Sequence, residues 1–319
     1  MKKYAILLIT FFAFTGSGLY AQGKDFSPID DYVKKLGTLD NFNVATIADT
    51  ITRKFSDKYE KARAIFYWIA NNIALDAKAI KSNDNKKTDP VDVIQLRKST
   101  PIGFALLVQE MCSMANIRCL TVDGYVKNNA EDIGNKADEI NHSWNVVQLG
   151  QSPEQWYYID AAKASGFIDP KTKGFTKLFT SEYFFADKAL FNLDHYPDND
   201  AWQLGNGPKN LKDFYALPVI SNAAYKLGLQ KPQPMNGHIK TKTKVSTSFS
   251  FIYNSTVPVK NIFLLIGEEK KQAKPEPMNF KESNGVVSFN FQFKVADTYP
   301  VRVVADGKEL LQYYVEVED

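Results

Sequence analysis

His142 and Asp160 can do acid–base chemistry, and they flank the turn-forming stretch Gly150-Gln151-Ser152-Pro153. The runs on either side, His142 to Leu149 and Trp156 to Asp160, predict the two strands of a hairpin. With the turn centred on Gln151, antiparallel pairing sets His142 opposite Asp160 and Trp144 opposite Tyr158. Directly opposed side chains have Cβ atoms about 4.5–5.5 Å apart, so Asp160 would accept a hydrogen bond from the imidazole. That is a base with its orienter, two of the three parts of a nucleophilic triad. One residue of slip would put them on opposite faces.

The missing part is a nucleophile, which belongs at a helix N-terminus. There the dipole and free N–H groups lower a thiol's pKa and hold an oxyanion. The helix in question opens Ser99-Thr100-Pro101-Ile102-Gly103. Proline brings no thiol and no backbone N–H, yet suits a first helical turn. Cys112 lies three turns farther on, about 16 Å at 1.5 Å per residue, too far to substitute. Its neighbours Leu107, Val108 and Met111 mark a buried structural thiol, and Cys119 reads likewise. A Cys112–Cys119 bridge is left open, since export would permit it without supplying the geometry. Ser99 and Thr100 read as N-caps rather than nucleophiles.

The three histidines, at 142, 195 and 238, show no metal-ligand spacing, so neither metal nor cofactor is expected. His195 reads as structural or solvated in a polar loop, and His238 has no candidate partner.

The elements around these residues follow from pattern. Up to about residue 116 the chain is helical. Ser27-Pro28 opens a first helix that Gly37 stops. Asp57 caps a second, whose Ala62, Ile65, Phe66, Ile69, Ala70 and Ile73 form one apolar face. Asp89-Pro90 opens a short helix, and the Pro101 helix runs to about Ala115. Strands follow at Cys119 to Val126 and in the hairpin, then an aromatic-rich loop and a helix near Leu211 to Leu217. Residues 231–240, with Pro232, Pro234 and Gly237, read as a linker. Beyond it Ser246 to Tyr253, Asn261 to Ile266, Val286 to Phe293, Tyr299 to Val304 and Glu309 to Val317 alternate as strands of an immunoglobulin-like sandwich over 241–319.

At the N-terminus, Lys2 and Lys3, an apolar run from Tyr4 to Phe14 and small residues up to Ala21 make a secretory signal over 1–21. The run is short of the ~20 apolar residues a membrane span needs, and no later stretch supplies one. The mature protein is expected in the periplasm or beyond. Without Lys2 and Lys3 the formal charge falls from +3 to +1, which gives no footprint for nucleic acid.

Several stretches resemble the transglutaminase-like family, a papain-type Cys-His-Asp fold. They are Lys61 to Ile69, Arg97-Lys98, Asn141-His142-Ser143-Trp144-Asn145 and Trp156-Tyr157-Tyr158-Ile159-Asp160, in that order. Tyr196-Pro197, Trp202-Gln203-Leu204 and Leu217-Pro218-Val219-Ile220-Ser221 resemble segments of its secreted bacterial branch. The resemblance covers about Asp57 to Leu229. It implies an α+β fold, with helices packed on an antiparallel sheet over 22–230, ahead of the β-sandwich. It carries the family histidine to His142, the aspartate to Asp160 and the catalytic cysteine to Pro101. Ile102 stands where a polar neighbour is usual, and Ala161-Ala162-Lys163 where Pro-Thr-Trp is usual.

Two functional readings follow. In the first, the domain is a non-catalytic relative whose groove binds a protein, peptide or cell-envelope polymer, with Ile102, Trp144 and Lys163 as contacts. In the second, it is a peptidase or acyl-transferase with another nucleophile. An aromatic loop from Phe179 to Tyr196 folding over the groove would argue against the first. Intact-mass analysis of protein from its native host should give a chain starting at Gln22. An unprocessed, membrane-embedded form would refute export.

Overall fold

In the computed structural model, residues 25–150, 155–169, 171–267 and 275–319 are described. The leader expected over 1–21 lies outside them. The N-terminal helices include Ser27–Leu36, Val44–Thr52, Lys58–Asn72 and Pro90–Leu96, with the short helix Ala77–Lys81 between the last two, and the central helix Pro101–Met114 follows. Asp57 caps the third of these by accepting from Tyr59 N, and Asp89 caps Pro90–Leu96 by accepting from Val91 N. The expected face of the third helix is buried at Ala62, Ile65, Phe66 and Ile69, and Ala64 and Trp68 are buried too. That helix therefore has two covered sides. It packs against the first and second helices and the central helix.

The central helix in turn lies on a four-stranded antiparallel sheet. The strand order is Trp156–Ile159, His142–Gln148, Arg118–Val126, His195–Pro197. The hairpin pairs Asn145 with Ile159, Val146 with Tyr158 and Gln148 with Trp156. This is two residues away from the expected register, so Trp144 does not face Tyr158 and His142 does not stand directly opposite Asp160. The pairing is centred one residue later than expected, and Leu149 N donates to Gln155 O at 3.1 Å beside it. A shift of two leaves every side chain on its expected face.

The five C-terminal strands expected from alternation are all present, in two facing sheets. Phe249 of one sheet meets Tyr313 of the other with ring centroids 5.5 Å apart. The expected linker over 231–240 is instead paired into both sheets. Gln230–Gln233 forms a strand on Ser246–Ile252, and His238–Lys242 pairs in parallel with Lys308–Glu318. Pro232 is tolerated because its strand lies at the sheet edge. Gly237 is a contact point rather than a hinge. A Cβ there would lie 2.7 Å from the Leu217 carbonyl, and its N–H donates to Ala216 O at 2.7 Å. Val219–Ile220 also pairs with the last strand, so sheet and α+β unit share one core cluster. No helix among the described residues is long and apolar enough to cross a membrane.

One buried ion pair fastens the first helix to this core. Arg63 donates from Nε and Nη2 to Asp30 Oδ1 and Oδ2 at 2.8 and 2.7 Å, with Phe26 and Phe184 packed over the guanidinium. Asp30→Ala would leave a buried guanidinium without its counter-charge, at a cost of about 3–5 kcal/mol. Urea denaturation should record that loss, and a change below about 1 kcal/mol would refute it.

Candidate functional site

Thr100, in extended conformation, is the N-cap of the central helix, and Pro101 is its first residue. Facing this end is the start of the His142–Gln148 strand. His142 Nε2 lies 2.6 Å from Asp160 Oδ2, so the bond expected from the hairpin forms between diagonal rather than opposed residues. The other carboxylate oxygen, Oδ1, accepts from Lys163 N at 2.8 Å and caps the helix Ala161–Ser165. Asp160 is fully buried.

A second imidazole shares that carboxylate. His195 Nε2 lies 3.0 Å from Asp160 Oδ2, from the edge strand on the far side of the sheet. Its ring stacks on Phe191 at 3.8 Å and 8°, and it is wholly buried. His195 is thus a structural residue of the core and not a solvated one in a polar loop. Its place beside Asp160 was not legible, because 35 residues of chain separate the two.

Burial pushes the Asp160 carboxyl up, but the charge of His142 and the hydrogen bonds of both imidazoles outweigh it and hold Asp160 well below the usual range. Burial pushes His195 down, against the pull of Asp194 and Asp160. The network therefore assigns a carboxylate accepting two Nε2–H donors. Behind it Asp194 accepts from Tyr183 and Tyr225, each at 3.2 Å, with Lys163 Nζ 3.7 Å away. Lys127, also fully buried, donates to Phe214 O at 2.9 Å, and burial brings its pKa down to about 7.

The ligand atoms of His142, Asp160 and His195 lie within 4.8 Å of one another, a cluster that could hold an ion. The spacing of histidines in the sequence hid it. Its two N···O separations, 2.6 and 3.0 Å, are hydrogen-bond lengths around one shared oxygen, so Asp160 engages the Nε2 of both imidazoles, while His195 Nδ1, 3.4 Å from Asp194 Oδ2, makes no hydrogen bond.

Between helix end and hairpin lies an open cleft of about 390 Å3, with Pro101, Ile102 and His142 in its wall. Nothing from the aromatic loop lines it. Tyr183, Phe184, Phe185 and Phe191 are instead packed into the core. Two expected contacts are corrected. Trp144 is buried, with its ring stacked beneath His142 at 6.3 Å and 23°, because it points into the layer between sheet and loop. Lys163 reaches Asp194 on the inner side of Asp160. Of the three expected contact residues only Ile102 lines the cleft.

The hydroxyls there all donate elsewhere: Thr100 to Asn85 Oδ1 at 2.6 Å, Ser143 to Asp123 Oδ1 at 2.6 Å, and Thr88 to Asn85 O at 3.1 Å. Cys112 and Cys119 are buried, unbridged thiols, and burial raises that of Cys119 well above its ordinary value. His142 Nδ1 has no partner among the described residues.

The arrangement agrees with what is found by comparison. Residues 45–161 match the model of the transglutaminase-like superfamily core. This chain carries a transglutaminase-like domain. The match begins before the Asp57 suggested by motifs and ends just past Asp160. Kyphoscoliosis peptidase of Mus musculus is 32% identical over 225 residues, covering 70% of this chain and 33% of that protein. Its Homo sapiens counterpart is 29% identical over 248 residues, covering 77% and 36%. Hillarin of Drosophila melanogaster is 23% identical over 221 residues, covering 66% and 27%. The chain thus spans about a third of the length of these relatives.

Buried His195 gives the domain an acid-sensitive element. Below about pH 6.5 the unfolded chain takes up a proton that folded His195 refuses, so stability falls with pH. Asp160, held low, adds a second loss below about pH 4. Unfolding free energy should decline from pH 6.5 to 5, by at most ~1.4 kcal/mol per pH unit for this one proton. His195→Gln keeps an N–H donor for Asp160 and should flatten that limb. An unchanged slope in the variant would refute the assignment.

Proposed function

We propose that this transglutaminase-like domain is an exported, non-catalytic member of its superfamily. Its cleft serves to bind a protein, peptide or cell-envelope ligand. The carrying observation is Pro101 at the helix end across from His142. A base and its orienter are present, and the residue they would activate has no acidic proton to give. The same proline withholds one backbone N–H from any oxyanion. The cleft's hydroxyls are engaged with other acceptors, and neither thiol reaches the surface. An open concavity with a few polar groups is the usual form of a ligand site, and it remains when the nucleophile is gone.

The second reading, a peptidase or acyl-transferase using another nucleophile, draws on two facts. The His142–Asp160 pair is intact with Nδ1 free, and two relatives carry the name peptidase. A serine or threonine would have to leave its present acceptor to reach that nitrogen.

Amine incorporation and peptide hydrolysis, each with and without a thiol alkylating agent, separate the readings. The unmodified protein should turn over neither substrate. Pro101→Cys should recover only trace activity, because Ile102 and Lys163 also depart from the active pattern. Turnover by the unmodified protein would overturn the non-catalytic reading, and alkylation sensitivity would place the nucleophile at a cysteine.

A further inference from the structure

The cleft wall carries two carboxylates. Asp123 and Glu139 line it, and no lysine or arginine does among the described residues. Each carboxylate keeps one oxygen uncommitted. Asp123 Oδ1 accepts from Ser143 at 2.6 Å and Glu139 Oε2 from Asn83 Nδ2 at 3.0 Å, while Oδ2 and Oε1 have no protein partner. Neither residue is ion-paired among the described residues. Carboxylates without an ion-pair partner in the lining of a concave surface raise the local concentration of cations.

A second, independent feature concerns His142. It is 7% exposed, its Nε2 is held by Asp160, and its one remaining polar atom, Nδ1, has no protein partner. A nearly buried imidazole in the wall of the cleft with an uncommitted nitrogen is a polar group awaiting a partner. The third feature is apolar. Ile80 and Ile140 are 37% and 42% exposed at the rim, and Pro101 and Ile102 add to the wall. A small hydrated cation would leave these surfaces wet. A peptide with aliphatic residues on either side of a basic one would cover them.

Resting on the reading of the cleft as a binding site, we propose that its ligand is a peptide segment presenting a basic side chain flanked by aliphatic residues. The basic group lies between Asp123 and Glu139, and the flanks lie on Ile80, Ile140 and Ile102. The interaction is non-covalent and leaves the peptide unchanged.

Titration calorimetry on the full mature chain tests this with three N-acetylated, C-amidated peptides. They share the sequence Ala-Val-Xaa-Val-Ala, with lysine, norleucine or glutamate at the centre. The lysine peptide should bind at low salt and weaken as ionic strength is raised to about 0.5 M. Asp123→Asn and Glu139→Gln keep the hydrogen bonds to Ser143 and Asn83, so both should fold. Each should raise Kd by about threefold to fivefold, the loss expected for one partly exposed charge pair. The norleucine and glutamate peptides should bind at least tenfold more weakly. Equal binding of the norleucine peptide would overturn the charge inference while leaving the cleft a binding site. Failure of all three peptides to bind would overturn the inference of a peptide ligand. Mass spectrometry of the recovered peptide distinguishes the remaining case, because cleavage or amine transfer would overturn the non-catalytic reading beneath it.

Discussion

The carboxylate of Asp160 is the interaction on which the site is built. It is charged and has no access to water, a state that costs several kcal/mol unless every lone pair is met. Three donors meet it, from His142, His195 and the Lys163 backbone N–H. They come from two strands and a helix start, so satisfying one group fixes the relation of three elements. The rings that donate are held in turn. Trp144 lies against His142, and Phe191 lies flat on His195. A second buried carboxylate, Asp194, sits behind the first, held by Tyr183, Tyr225 and Lys163.

This arrangement gives the His142–Asp160 pair a reason to exist apart from catalysis. Removing either partner would strand a buried charge or a buried donor, whatever stands across the cleft. At the helix end, by contrast, Pro101 satisfies every local rule: it follows an extended N-cap and lacks the N–H that would be unpaired there. The two halves of the site are therefore under separate physical constraints. One is locked by burial and the other is free to vary at the surface of the cleft.

The β-sandwich is tied to this core more closely than a linker would allow. Val219–Ile220 and His238–Lys242 both pair with the final strand, and Gly237 lets the chain pass against Leu217. Prolines and glycine read as a hinge because their local effect is to break regular structure. Here the prolines sit on or next to an edge strand, and the glycine sits where two backbones touch.

Much of the site was legible from local pattern. The helix starts at Asp57 and Asp89 follow from capping chemistry, and the start at Pro101 follows from proline's fit to a first helical turn, since the Thr100 hydroxyl makes no cap hydrogen bond and donates to Asn85 instead. The face on which His142 and Asp160 lie follows from the two-residue period of a strand. The C-terminal strands follow from alternation. Register did not, because it is set by how the hairpin loop closes, and a shift of two residues leaves the hydrophobic pattern unchanged. Nor did the burial of Trp144 or the inward reach of Lys163, since both depend on the aromatic loop packing beneath the hairpin. His195 is the clearest case. Sequence determined that a histidine stands beside Asp194 in a turn-rich segment. Only the tertiary structure brought its ring to Asp160, because a shared buried charge is a long-range constraint that no local periodicity encodes.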